Sequence, residues 1–304
     1  MDKLEAMRTY VAIVDRGSLT AAAEALDRSL PTVVRVLAAL EESLGTRLLR
    51  RTTRRMSLTP EGQTYLERCR RILTDVEDAE RSVARGQSEP RGGIRMTAPV
   101  LFGQMHVAPA VNGFLRRYRE VGVELLLLDR VVGIVEEGID LAVRIAHLAD
   151  SSMVAVPVGH VRRVACASPA LLASGGTPVH PRELATRACV RFSGTSPGGS
   201  WTFAERGREL PIRISGSFAC NQASAAVGAC VDGLGFGHFL SYQVEPLVRA
   251  GRLVIVLEDF EPPPLPVSLV YPQSRLVTTR LRALLDWLKD ALESRPEIHR
   301  AAIP

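Results

Sequence analysis

Long apolar runs are missing from this chain. Stretches such as Leu125–Leu128 fall far short of the ~20 residues that a membrane-spanning helix needs. The N-terminus has no apolar secretion core, because Asp2, Glu5 and Arg8 interrupt it. Cysteine is scarce: Cys69, Cys166, Cys189, Cys220 and Cys230 are an odd set without a C-x-x-C pair, which argues against a disulfide framework. Cys220 and Cys230 leave open a redox pair or buried structural thiols, and the second fits better because neither has a basic neighbour. His106, His147, His160, His180, His238 and His299 stand too far apart for a metal pair. No nucleophile, base and orienting group form a set, and Gly233–Gly237 follows a helical pattern and precedes a strand, the reverse of a dinucleotide loop. The expectation is a cytoplasmic, reduced protein that is not an enzyme and has no metal, no cofactor and no membrane partner.

What is present is ordinary in bulk and uneven in detail. The 304 residues, 46% hydrophobic and 23% charged, suggest two or three globular domains. The net charge of +5 is mild, yet Arg47, Arg50, Arg51, Arg54 and Arg55 place five positive charges in nine residues with no negative one among them. Such a patch is what contact with nucleic-acid phosphates requires, and the alternative is a solvated basic surface.

The patch follows two helical patterns. Ser18 caps an alanine-rich helix to Leu26, whose small side chains allow close helix approach, and Asp27-Arg28 leave a short turn. Ser29 caps a second helix with Pro31 in its first turn and a stop at Gly45. Val33, Leu37, Leu40 and Leu44 form its buried stripe, opposite Pro31, Arg35, Ala38 and Glu42, with Val34 on the flank. That narrow outer face suits a DNA major groove about 12 Å wide. A preceding helix, Lys3 to Asp15, is expected to bury Leu4, Met7, Val11 and Val14. After Gly45, alternation at 48–50 and 55–58 suggests a two-stranded wing with Thr52 and Thr53 at its tip.

The order of these residues resembles the winged helix-turn-helix of LysR-type transcriptional regulators. The resemblance rests on Met1-Asp2-Lys3-Leu4, the run Gly17 to Ala23, Ser29 with Pro31, Ala39-Leu40-Glu41, Leu44-Gly45, Arg51 to Arg55, and Leu58 to Gly62. It implies DNA contacts from Ser18, Thr20, Ser29, Leu30, Pro31, Thr32, Val34, Arg35, Arg51, Thr52, Thr53, Arg54 and Arg55. Leu30 and Val34 stand where the family commonly carries Gln and Ser. Readout is therefore expected to lean on thymine methyl groups, groove shape, Thr32, Arg35 and the wing.

Thr59 caps a further helix with Pro60 first. Its apolar residues Tyr65, Cys69, Ile72, Val76, Ala79 and Val83 recur with gaps of 4, 3, 4, 3 and 4, a heptad seam flanked by charge. A seam of this kind needs a partner, and the alternative is a helix lying on its own domain. Dimerisation through it would set two reading heads on one duplex. The Gly- and Pro-containing break at 85–93 is the best boundary in the chain.

Beyond the break, strand and helix patterns alternate, which argues for parallel sheet covered by helices. Expected strands lie at 94–97, 122–128, 141–145, 161–167, 189–192, 212–218, 235–240 and 267–271. Helices are expected at 103–118, 131–137, 222–232 and 276–292, with a small one opening at Pro169. This order is similar to the periplasmic-binding-protein-like bilobed α/β effector domain of the same family. The implied organisation is a winged helix-turn-helix over 1–59, a linker helix over 60–90 and a bilobed α/β domain over 91–304. Lobe I takes 91–160 and 268–304, and lobe II takes 161–267. The inter-lobe cleft would be lined at strand ends by Thr97, Ala98, Val100, Leu101, Phe102, Arg144, His147, Phe192, Ser193, Asn221 and Gln222, with local capping or packing as the competing role for each. The first of these loops is apolar, which hints at a ligand with an apolar part. The implied partners are double-stranded promoter DNA, a second copy of the chain (dimer or tetramer) and an unidentified small-molecule effector. A ligand-independent regulator and a cytoplasmic solute-binding protein are the alternatives.

Overall fold

The computed structural model describes residues 2–51, 56–83, 89–130, 132–147, 153–193, 198–273 and 277–298. Two units divide the chain, Met1–Ser88 and Glu89–Pro304.

In the first unit, helices α1 (Lys3–Arg16), α2 (Leu19–Ala25) and α3 (Leu30–Leu44) precede strands β1 (Leu49–Arg51) and β2 (Met56–Leu58) and the long helix α4 (Pro60–Val83). The caps are those the residue types dictate. Asp2, Ser18 and Ser29 accept from first-turn amides, and Gly17 and Gly45 close α1 and α3 in the left-handed region. The core joins Ala6, Tyr10 and Ile13 of α1, Ala22 and Ala23 of α2, Val33, Leu37 and Leu40 of α3, Leu48 and Leu49, and Leu66 and Cys69 of α4. Two expectations need correction. The centre of the α1 stripe is Ala6, Thr9, Tyr10 and Ile13, while Leu4, Met7, Val11 and Val14 are only half-buried. α1 packs against α2, α3 and α4, so its buried face must serve both sides, and Tyr10 reaches across to donate its hydroxyl to the Gly62 carbonyl at 2.9 Å. Leu44 is 40% exposed, at the helix end beyond the reach of α1, where it borders a shallow groove with Leu48 and Tyr65.

In the second unit the chain runs β3 (Gly92–Ala98), α5 (Val100–Phe102), a π turn (Gly103–Val107), α6 (Ala108–Arg117), β4 (Val121–Leu127), β5 (Leu141–Ile145) and β6 (Met153–Val161). It then enters a second lobe: β7 (Arg163–Ala167), α7 (Pro169–Gly175), a 3-10 turn (Pro181–Thr186), β8 (Arg191–Phe192), β9 (Ser200–Glu205), β10 (Arg208–Arg213) and β11 (Ala219–Cys220). α8 (Ala223–Val231), β12 (Gly237–Leu240), α9 (Ser241–Arg249), β13 (Val254–Val256) and a 3-10 turn (Glu258–Phe260) complete that lobe. β14 (Leu265–Pro272), α10 (Thr279–Glu293) and a last 3-10 turn (Pro296–Ile298) return to the first.

The expected parallel sheet holds only for part of this. Lobe I carries the order β4-β3-β5-β14-β6, with β4, β3 and β5 parallel and β14 antiparallel to both β5 and β6. In lobe II, β7 is flanked antiparallel by β12 and β13, while β8 and β11 pair in parallel. The reason is directional: β14 arrives from lobe II and β7 from lobe I, so each runs against its new neighbours. The expected helix at 131–137 is not formed by the described residues, which make turns instead (Glu137 to Gly133, Ile139 to Ile134). These turns fold Val132, Ile134 and Ile139 into burial.

Lobe I buries Met96, Phe102, Phe114, Val143 and Leu269 against the α10 stripe Leu281, Leu284, Leu285, Leu288 and Leu292. The Trp287 indole N–H donates to the Ala110 carbonyl at 2.9 Å. In lobe II, His238 is 1% exposed and lies against Trp201 and Phe203, and burial drives its imidazole down to about 3. His106 in lobe I is likewise buried and shifted downward, first by burial. A histidine whose folded pKa is depressed takes up a proton on unfolding, so its contribution opposes the folded state as pH falls below the unfolded value near 6.5. The melting temperature of the full chain is therefore expected to drop between pH 7 and pH 5, and to drop less in His238→Phe. A flat profile in calorimetry over that window would contradict this.

Candidate nucleic-acid interface and inter-lobe cleft

α3 presents Leu30, Pro31, Arg35, Ala38 and Glu42 to solvent, while Val33, Leu37 and Leu40 anchor it. Leu30 is 41% exposed at the first position of the helix, and Ser18 and Thr20 are exposed at the start of α2. Val34 and Thr32 are half-buried on opposite flanks. The Thr32 hydroxyl lies 2.8 Å from that of Ser29, and the residue lines a cavity of about 350 Å³ with Leu4, Leu26, Val36 and Val76. Thr32 is thus tied to the cap and turned from the outer face.

The wing is an antiparallel ladder, Leu49 opposite Leu58 and Arg51 opposite Met56. Arg47 and Arg50 are exposed. Thr52, Thr53, Arg54 and Arg55, and the side chain of Arg51, lie outside the described residues. Glu41 joins wing to helix. It is buried, and its Oε1 accepts from the amides of Leu48 (2.8 Å) and Leu49 (3.2 Å), with Arg47 Nη1 3.2 Å from Oε2. From the other side Thr59 N donates to the Leu48 carbonyl and Thr59 Oγ1 to that of Arg47, while Gly62 N donates to Thr59 Oγ1. A Cβ on Gly62 would stand 2.1 Å from the Leu48 oxygen, so only glycine permits this approach.

Along α4 the heptad seam divides. Cys69 is fully buried in the core of its own unit, and Tyr65, half-buried, packs on Tyr10 at 5.8 Å between ring centres at the edge of that core. Burial raises the Cys69 thiol above its ordinary range, consistent with an apolar knob. Ile72 is 39% exposed and Val76 half-buried; the side chains of Ala79 and Val83 lie outside the described residues.

In the second unit the cleft residues separate into two groups. Ala98 and Phe102 belong to the lobe I core and Phe192 to that of lobe II, while Thr97 is fully buried and its hydroxyl finds no hydrogen-bond partner among the described residues. Packing claims these positions because strands β3 and β8 end inside the lobes. Val100 and Leu101 are half-buried, and Leu101 touches the cores of both lobes. His147, Ser193, Asn221 and Gln222 are exposed. Ser193 Oγ donates to the Cys220 carbonyl at 3.4 Å, and Arg144 donates to the Val132 carbonyl at 3.1 Å. Asn221 does not cap α8: Gln222 is the cap residue, without a side-chain bond.

Three residues of this region escaped sequence reasoning. Asp129 accepts from the Val100 amide at 2.9 Å, placing a carboxylate at the first turn of α5. Tyr242 stacks edge-on to Phe102 at 5.1 Å and so carries lobe II into the lobe I core. Arg162, 6% exposed at the first crossover, reaches Glu261 on the second at 2.7 and 2.6 Å and Glu258 at 2.9 Å. Asp129 was findable, since it follows a leucine-rich strand at its carboxyl end. The Arg162 partners are almost a hundred residues away, so no local pattern marks them.

Among the described residues no helix is long and apolar enough to cross a membrane, and no group of three or more His, Cys, Asp or Glu could hold a metal ion. All five cysteines are free. Burial pushes Cys166 and Cys189 up to about 12, which leaves them inert as nucleophiles at neutral pH.

Two family models match the chain: "Bacterial regulatory helix-turn-helix protein, lysR family" over residues 4–63 and "LysR substrate binding domain" over 87–293. An HTH-type transcriptional repressor of Pseudomonas aeruginosa is 34% identical over 100% of this chain and 96% of its own. The solved structure of CrgA, a LysR-type transcriptional regulator from Neisseria meningitidis, is 30% identical over 95% of this chain and 98% of that one, with a TM-score of 0.60. The full-length structure of AphB, a virulence activator of Vibrio cholerae, is 25% identical over 94% of this chain and 98% of that one, with a TM-score of 0.57.

Removing Arg162 leaves the Glu261 carboxylate, 13% exposed, uncompensated, while Glu258 is exposed to solvent. Arg162→Ala should lower the stability of the full chain by about 3 kcal/mol or more in urea unfolding. A loss below about 1 kcal/mol, the worth of an exposed pair, would show that the cluster is solvated.

Proposed function

The chain belongs to the LysR-type transcriptional regulators, with an N-terminal helix-turn-helix domain and a C-terminal LysR substrate-binding domain, and from that premise we propose that it binds promoter DNA as a homodimer or dimer of dimers, under the control of a small molecule held between its C-terminal lobes. The observation that carries the DNA half is the outer face of α3: Leu30, Pro31, Arg35 and Ala38 lie exposed on a helix held from behind by Val33, Leu37 and Leu40. The wing adds the basic residues Arg47 and Arg50, which favour phosphate contact without sequence choice.

Two copies joined through α4 would bring two such heads to one duplex and favour a roughly palindromic site. The exposed Ile72 and the half-buried Val76 support this assignment. The ligand half rests on the two crossovers and on Leu101, which sits between the lobe cores. Closure of the lobes on a ligand shifts a population of assemblies, and coupling of ~1 to 3 kcal/mol is enough to change promoter occupancy several-fold. The protein acts in the cytoplasm by binding and not by catalysis.

Arg35→Ala should weaken binding to a footprinted promoter site at least about fivefold in a gel shift, and Val34→Ser should change site preference by adding a hydrogen-bonding group at the groove. Unchanged affinity together with unchanged preference would remove α3 from the interface. Ile72→Glu should lower the assembly state in sedimentation; an unaltered assembly would place the dimer contact elsewhere.

A further inference from the structure

Glu41 occupies a position that the DNA-reading face does not explain. It lies on the wing side of α3, 5% exposed, and takes no part in the apolar packing that anchors the helix. One oxygen gathers two consecutive amides, those of Leu48 and Leu49, and the other faces the guanidinium of Arg47. These donors are the first residues of the arm that becomes β1. A buried amide left unpaired is costly, so the carboxylate fixes where the wing begins.

The opposite edge of the same segment is held as tightly. The Leu48 carbonyl accepts from Thr59 N at 3.0 Å, and the Arg47 carbonyl accepts from Thr59 Oγ1 at 2.7 Å. Gly62 allows the first turn of α4 to press on that carbonyl. Both backbone groups of Leu48 are therefore committed, one to the reading helix and one to the linker helix. Rotation or sliding of the wing root would break bonds on both sides at once.

Building on the reading of this domain as a DNA binder, we propose that Glu41 is a positioning residue for DNA: it holds Arg47 and Arg50 at the wing root in register with α3, so that backbone and groove contacts form together. Its role is preorganisation. Without it the wing keeps its ladder but loses its fixed attitude to the reading helix, and phosphate contacts are made less often.

The test is the salt dependence of binding of the full-length protein to a mixed-sequence DNA duplex. Each phosphate contact contributes about 0.9 to the slope of log affinity against log salt. Glu41→Ala is expected to make the slope shallower by about 1 or more, whereas Glu41→Gln, whose amide oxygen still accepts from both backbone donors, stays within about half of one contact of wild type. A role confined to stability would lower the melting temperature of Glu41→Ala and leave the slope of its folded fraction unchanged, and that result would overturn the proposal. If Glu41→Ala does not fold, Glu41→Gln decides: a slope steeper than that of wild type would show that release of the Arg47 charge, not wing placement, is at work, and would overturn it too. Wild type is the control for the underlying reading. Salt-insensitive or absent binding by wild type removes the DNA assignment itself, whereas a normal wild-type slope with an unchanged Glu41→Ala slope removes only the positioning role.

Discussion

Leu48 has both of its backbone groups committed to different helices, and the geometry of the N-terminal unit depends on that double commitment. Its N–H goes to the buried Glu41 carboxylate of α3 and its carbonyl to Thr59 at the head of α4. Hydrogen bonds to charged groups are among the stronger ones, and each contributes about 1.5–3 kcal/mol when buried. The apolar core beneath, from Tyr10 to Leu40, supplies most of the stability but little of the direction, because hydrophobic contact is non-directional. The C-terminal unit solves a similar problem with similar means. Arg162 binds two carboxylates across the crossovers, and Tyr242 carries lobe II onto Phe102, so the passage between lobes is fixed by a few directional contacts.

Much of the N-terminal unit was legible because its determinants are local. Ser18, Ser29, Pro31 and Gly45 mark helix ends by chemistry that acts within a turn or two, and the structure uses each as its type predicts. The stripe of α1 was displaced by the presence of α4, a neighbour that its own sequence does not announce. The seam of α4 shows the same limit: Tyr65 and Cys69 fit a heptad, but α1 lies over them and claims them.

The C-terminal unit was legible as alternating α/β and less so in its strand directions. β6 carries Pro157 and Gly159, which hide it as a strand, and it tolerates them because it sits at the sheet edge. The hairpin β9–β10 turns at Arg206-Gly207 with positive φ at both, and Pro246 inside α9 masks that helix. Of the cleft residues, those nearest strand ends were absorbed by packing, as Ala98, Phe102 and Phe192 are. The remainder, His147, Ser193, Asn221 and Gln222, stay exposed, and Val100 and Leu101 half-buried, with Asp129 accepting from the Val100 amide. These distinctions arise from burial, which a single sequence reports only through period and composition.

If two copies read DNA together, as proposed, the paired heads leave a spatial record on the duplex. Hydroxyl-radical footprinting of the full-length protein on a promoter fragment that it binds tests this most directly. Two protected patches related by a dyad are expected, with centres spaced by about one helical turn of 10–10.5 base pairs or a multiple of it. A single asymmetric patch, or uniform protection without spacing, would contradict it.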